Sequence, residues 1–177
     1  MSTDQDDLLA SDVLGGIRSL PIGEVRDLRA RCIDVETGLS YLRRMVQAPL
    51  DLVTREQQRR RDGGGPSEIR ELIDSLPEVL SANTRVGGPG RLPTQIGPGE
   101  IDPALSDELA SIVGSGQLAA IATTDDADLA ELASQLEAFE RRVSERRRAF
   151  HARIDALQAE LARRYRTGEA TVESLLH

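Results

Sequence analysis

The chain has 177 residues, of which 39% are hydrophobic, 29% charged and 2% aromatic, with no tryptophan. So few large rings argue against a big enzyme-like core and for long amphipathic helices with irregular segments. A net charge of -8 argues against general nucleic-acid binding, no stretch is apolar for the length a membrane span needs, and the lone Cys32 rules out an internal disulfide or a multi-cysteine zinc site.

Residues 1–21 form an N-terminal segment. Its start, MSTDQDDLLA, is acidic and lacks the basic opening of a secretion signal, so a cytoplasmic location is the default expectation. Leu8, Leu9 and Val13 suggest a brief helix there.

Residues 22–61 predict a long helix. Leu28, Cys32, Val35, Leu39, Leu42, Val46 and Val53 recur at alternating steps of four and three, with Pro49 at the one missing step. This is a heptad seam. Pro21 suits the first turn. Pro49 removes a backbone hydrogen bond and is expected to kink or loosen the helix. Arg59, Arg60 and Arg61 suit the negative helix end, and Gly63-Gly64-Gly65-Pro66 stops it.

Residues 62–125 read as an acidic, Gly/Pro-rich connector with short helices at Ser67 to Leu80 and Asp102 to Val113. Residues 84–103 offer little to bury and are expected to be mobile. The charge is segregated: residues 62–138 carry three Arg against fourteen acids, and residues 139–177 carry nine Arg against six. Every basic residue is arginine.

Residues 126–166 predict a second long helix, capped by Asp125 or Asp126 and ended by Gly168, before a tail at 167–177. Its seam is Leu129, Leu132, Leu136, Phe139, Val143, Phe150, Ile154, Leu157 and Leu161. Helices this long need a partner over the seam. The fold class is therefore all-α: an antiparallel two-helix coiled-coil hairpin with an irregular acidic connection. The seam itself permits either one chain folding back or two chains pairing.

Each long helix carries the same polar row. The first is Glu36, Ser40, Arg43, Gln47 and Asp51; the second is Glu140, Ser144, Arg147, His151 and Asp155. At roughly 100° per residue the five positions fall near 0, 40, -20, 20 and 60°, one strip along one face. Both strips flank their seams on the same side. Antiparallel pairing brings both to one surface, whereas parallel pairing puts them on opposite surfaces. The shared pattern Glu-x-x-x-Ser-x-x-Arg with Asp eight further on is expected by chance roughly 0.01 times in this composition. It occurs twice.

The residue types suit a ligand carrying both negative charge and donors. The arginine fork meets guanine O6 and N7, or phosphate, and its plane stacks on bases. Carboxylates accept from guanine N1 and the exocyclic amine. Ser and Gln can donate to phosphate or sugar. Other candidates carry less. Cys32 sits on the seam as a core residue. His151 and His177 are too few and too far apart for a metal site. Within the run Arg146 to Arg148, Arg147 belongs to the row and its neighbours read as solvated. An open helix surface offers no water-excluding pocket for catalysis, so no enzyme is expected.

The doubled row resembles the signature of the RsiG family, the actinobacterial anti-sigma factors that bind cyclic di-GMP. The first copy matches at all five positions, and the second has His151 in place of Gln. The resemblance covers the two long helices and implies a coiled-coil hairpin whose two motifs hold an intercalated dimer of cyclic di-GMP. It implies that the loaded protein sequesters WhiG, an RNA polymerase sigma factor for sporulation or motility, without binding DNA or membrane itself. The ten row residues would be the ligand contacts. The all-arginine composition agrees with a GC-rich actinobacterial source. The alternative is a helical-hairpin structural or adaptor protein with no small-molecule ligand, in which the rows are salt-bridged flanks.

Overall fold

A computed structural model describes residues 4–10, 15–63, 99, 101–114 and 116–169. Their secondary structure is helical: α1 (Asp4–Leu9), α2 (Ile22–Arg61), α3 (Pro103–Ile112), α4 (Gln117–Ala120) and α5 (Asp126–Thr167). The predicted helix at Ser67 to Leu80 and most of the stretch 84–103 lie outside the described residues.

Local chemistry sets the helix ends. The Pro21 carbonyl accepts the first bond of α2, from Val25 N. Asp125 Oδ1 accepts from Asp128 N at 2.8 Å, an N-cap at the start of α5. Gly63 and Gly168, both near φ +73°, end α2 and α5 in the left-handed conformation that glycine adopts without penalty. Asp102 caps α3 by accepting from Ala104 N at 2.9 Å.

The chain forms two units. The first comprises Met1–Arg44, Pro98–Ser106 and Glu140–His177. In it α2 and α5 pair antiparallel: Arg26 meets Tyr165, Glu36 meets Arg147 and Arg43 meets Glu140. One chain supplies both helices. The core contains Val25, Cys32, Val35, Leu39 and Leu42 from α2 and Val143, Phe150, Leu157 and Leu161 from α5, with Leu8 from α1. Each such side chain contributes about 1.5–3 kcal/mol by leaving water. Burial pushes the Cys32 thiol up, as suits a core residue.

The second unit comprises Met45–Gly97 and Asp107–Phe139. Here too α2 and α5 run antiparallel, with Gln57 at the Leu129 carbonyl and Arg60 at Asp126. Val46 and Val53 pack with Leu129, Leu132, Leu136 and Phe139, and Leu109 and Ile121 join this core. Glu56, nearly fully buried, accepts from Arg59 and Arg60, and these bonds hold its carboxyl below the ordinary range.

Pro49 lies within α2, which is helical on both sides of it; its ring is buried at the seam step the apolar pattern left open. Packing of the ring offsets a lost hydrogen bond that would be costly on an exposed helix. Ile154 is only half-buried; Arg153 takes the seam step after Phe150, and Glu160 and Arg164 take later ones. These charges are tolerable because they are bonded. Arg153 donates to the Ala10 carbonyl at 2.8 Å, and Arg164 donates to Glu160 and to the carbonyls of Ile17 and Leu20, each at 2.7 Å. Of stretch 84–103, residues 99 and 101–103 are described. A Cβ on Gly99 would lie 2.6 Å from the Asp34 carbonyl oxygen and from Gly38 N, so the chain there presses directly on α2.

Candidate functional site

Antiparallel pairing in the first unit brings Glu36, Ser40 and Arg43 of α2 to the same surface as Glu140, Ser144, Arg147 and His151 of α5. The two copies are cross-linked. Arg43 Nε donates to Glu140 Oε1 at 3.0 Å, and Arg147 Nη1 donates to Glu36 Oε1 at 3.3 Å. Each arginine thus pairs with the glutamate of the other copy. Each serine turns to the glutamate of its own copy: Ser40 Oγ to Glu36 Oε1 and Ser144 Oγ to Glu140 Oε1, both at 2.7 Å. Arg43 Nε also reaches Ser144 Oγ at 3.1 Å. This is the pseudo-two-fold relation that a repeated motif produces on two antiparallel helices.

The electrostatics follow from the pairing. The Ser144 hydroxyl and then the Arg43 guanidinium hold the Glu140 carboxyl below its ordinary range, against the opposing effect of burial. Glu140 is therefore ionised at neutral pH and fixes the direction of Arg43. Both arginines remain accessible enough to be recruited, with Arg43 38% exposed. The Arg147 Nε–H is buried and has no hydrogen-bond partner among the described residues.

Departure from symmetry centres on His151. Its Nε2 lies 2.9 Å from Arg147 Nη1 and 3.0 Å from Glu36 Oε1. Asp155 follows one turn later and is exposed. Gln47, half-buried, and Asp51, exposed, belong to the second unit. The first unit accordingly contains eight of the ten row residues, and all but Asp155 contact one another within it.

The arginine run is divided differently from the sequence expectation. Arg147 joins the row, Arg148 turns back to the Ser144 carbonyl, and Arg146 pairs with Asp6 at 2.6 Å instead of being solvated. Arg146, Arg153 and Arg164 together fasten the N-terminal segment to α5. Continuing the strict heptad from Val143 would have found all three.

Elsewhere, a cleft of about 460 Å³ in the second unit is lined by Gln57, Arg60, Arg61, Asp126 and Leu129 and shares no residue with the rows. Arg60 is already committed there to Glu56, Asp126 and the Ile121 carbonyl. Among the described residues no group of three or more His, Cys, Asp or Glu could hold a metal ion, and no helix is long and apolar enough to cross a membrane.

Two long paired helices thus present a repeated, charge-linked row on one surface. A family model described as RsiG-like matches residues 12–80 and 115–177, taking in both long helices, and the chain belongs to that family. It is a family of anti-sigma factors, regulatory proteins whose partner is a sigma factor. No curated protein matches the chain.

Proposed function

We propose that this anti-sigma factor is gated by cyclic di-GMP: an intercalated dimer of the dinucleotide binds along the two rows, and the loaded protein sequesters a WhiG-type sigma factor. The observation that carries this reading is the crossed pair, Arg43 with Glu140 and Arg147 with Glu36. It presents two forked cations and two ionisable acceptors on one surface, related by a pseudo-two-fold. A ligand with two-fold symmetry, guanine edges and phosphates asks for that set. Arg43 and Arg147 would take guanine O6/N7 or phosphate. Glu36 and Glu140 would accept from guanine nitrogens, and the serines would reach phosphate or sugar. Asp155, on α5 in the same unit, would extend the contacts.

One observation favours the alternative, a salt-bridged adaptor without a small ligand: the Arg–Glu pairs already satisfy each other's charge. The two readings separate in a melting experiment. Cyclic di-GMP at 100 times its dissociation constant adds about 2.7 kcal/mol to a protein that binds it only when folded. A clear rise in Tm supports gating, whereas an unchanged Tm across a wide ligand range returns the rows to the role of structural flanks. Capture of a sigma factor only with the dinucleotide present tests the second half of the proposal.

A further inference from the structure

Arg43 with Glu140 and Glu36 with Arg147 are two rungs across the antiparallel pair, each joining a cation to an anion. Seven residues back on α2, from Arg43 to Glu36, correspond to seven forward on α5, from Glu140 to Arg147. Seven more reach Arg29 on α2 and Ile154 on α5, and the neighbour of Ile154 is Asp155, the last residue of the second row. At about 100° per residue Arg29 falls near 20° on the scale that puts Glu36 at 0°, so it continues the first row, roughly 10 Å further along the pair. All six residues belong to the first unit. The order of charge continues too: α2 carries cation, anion, cation, and α5 faces them with anion, cation, anion.

The third rung is open. Among the described residues no ion pair joins Arg29 to Asp155. Arg29 is half-buried, and its Nε–H is buried with no hydrogen-bond partner among the described residues. A buried donor without an acceptor is costly, and an acceptor that arrives with a ligand explains it. A cation kept only to solvate a helix flank would hold its donors in water. Motif comparison passes over Arg29 because the repeat lacks it: the residue seven before Glu140 is Ala133. Resting on the cyclic di-GMP reading above, we infer that Arg29 is a further ligand contact and that it reads a guanine base together with Asp155. A guanine at this level presents O6 and N7 acceptors to the Arg29 fork and N1–H and amine donors to the Asp155 carboxylate. A phosphate would take the fork but be repelled by the carboxylate, so the base and not the backbone is assigned to this rung. An adenine carries an amine where guanine has O6 and would meet the fork donor to donor. The rung thus adds base selectivity to one of the two rows.

The experiment is calorimetric titration of the full chain with cyclic di-GMP and with its 7-deaza analogue, in which each guanine N7 is replaced by C–H. Wild type is compared with Arg29→Ala and with Arg29→Met, which keeps most of the apolar stem. Without ligand both variants should melt at the wild-type temperature, because Arg29 closes no ion pair with Asp155. Both should bind cyclic di-GMP roughly 5- to 150-fold more weakly, the loss of one bidentate contact. The 7-deaza analogue should bind wild type more weakly than cyclic di-GMP does, and this penalty should shrink in both variants, which have already lost one N7 contact. Wild-type affinity in the variants overturns the inference and leaves the ligand reading standing. Weaker binding with an undiminished 7-deaza penalty also overturns it, because Arg29 would then be serving a phosphate. Absence of any binding heat in wild type removes the ligand reading itself, and the inference with it.

Discussion

Arg43 on α2 and Glu140 on α5 are joined by a 3.0 Å contact between positions of opposite type in two copies of one motif. The pair fixes a cation and an anion side by side on the surface where the rows meet. It also ties the ligand proposal to a measurable stability term. The pair is part-exposed, so its loss should cost about 0–1 kcal/mol. Binding should suffer far more. Arg43→Ala and Arg147→Ala are each expected to weaken cyclic di-GMP by roughly 5- to 150-fold, the loss of one bidentate contact. Capture of the sigma factor should fall in parallel, since linkage makes each affinity depend on the other. Titration calorimetry, with circular dichroism for the fold, checks this. Unchanged affinity in the double variant would dissociate the rows from the ligand.

Phe150→Ala tests the seam. The ring is fully buried in the first unit, between the steps of Val143 and Leu157. Removing it should destabilise by about 3–5 kcal/mol, the transfer loss plus the cavity. Urea unfolding measures this, and a loss well under about 1 kcal/mol would mean the seam collapses around the gap or does not bury the ring.

Acid should loosen the chain through named carboxylates. Arg163 and Arg164 hold Glu160 at about 2, against an ordinary 4.5. A carboxyl lowered on folding stabilises above its unfolded value and stops doing so as pH falls through its folded value. The loss from Glu160 therefore lies between about 4.5 and about 2. Glu56 and Glu140 are lowered too and act with the same sign. Urea midpoints should fall across that window, and Glu160→Gln should flatten part of the fall. A wild-type midpoint constant through the window would contradict the pairing.

Arg164→Ala should free the segment before α2. Arg164 holds the carbonyls of Ile17 and Leu20, which flank the exposed Arg18. Tryptic cleavage after Arg18 is expected to quicken in this variant while α5 remains resistant. Cleavage at the wild-type rate would show that the segment is held by other contacts.

Much of this was legible in the residues, and the failures have physical causes. The long helices announce themselves because apolar side chains recur at three and four, and because Asp125 and Gly168 supply cap chemistry at the ends. The paired rows follow from motif spacing and antiparallel packing. The charged seam steps did not follow, because hydropathy gave the step after Phe150 to Ile154. Arg153 wins it through a carbonyl at Ala10, far away in sequence, which no local pattern displays.

Leu20 stands two residues before α2, so the bond from Arg164 to its carbonyl ties α5 to the start of α2. A slide of α5 by one heptad would shift it roughly 10 Å along the pair. Leucines and valines would tolerate such a slip, finding equivalent holes. Arg153 and Arg164 would not, because each would be carried away from the carbonyls of Ala10, Ile17 and Leu20 that it bonds outside α5. The buried charges therefore act as a vernier for the two helices. Only the setting that satisfies them also brings Arg43 level with Glu140 and Glu36 level with Arg147.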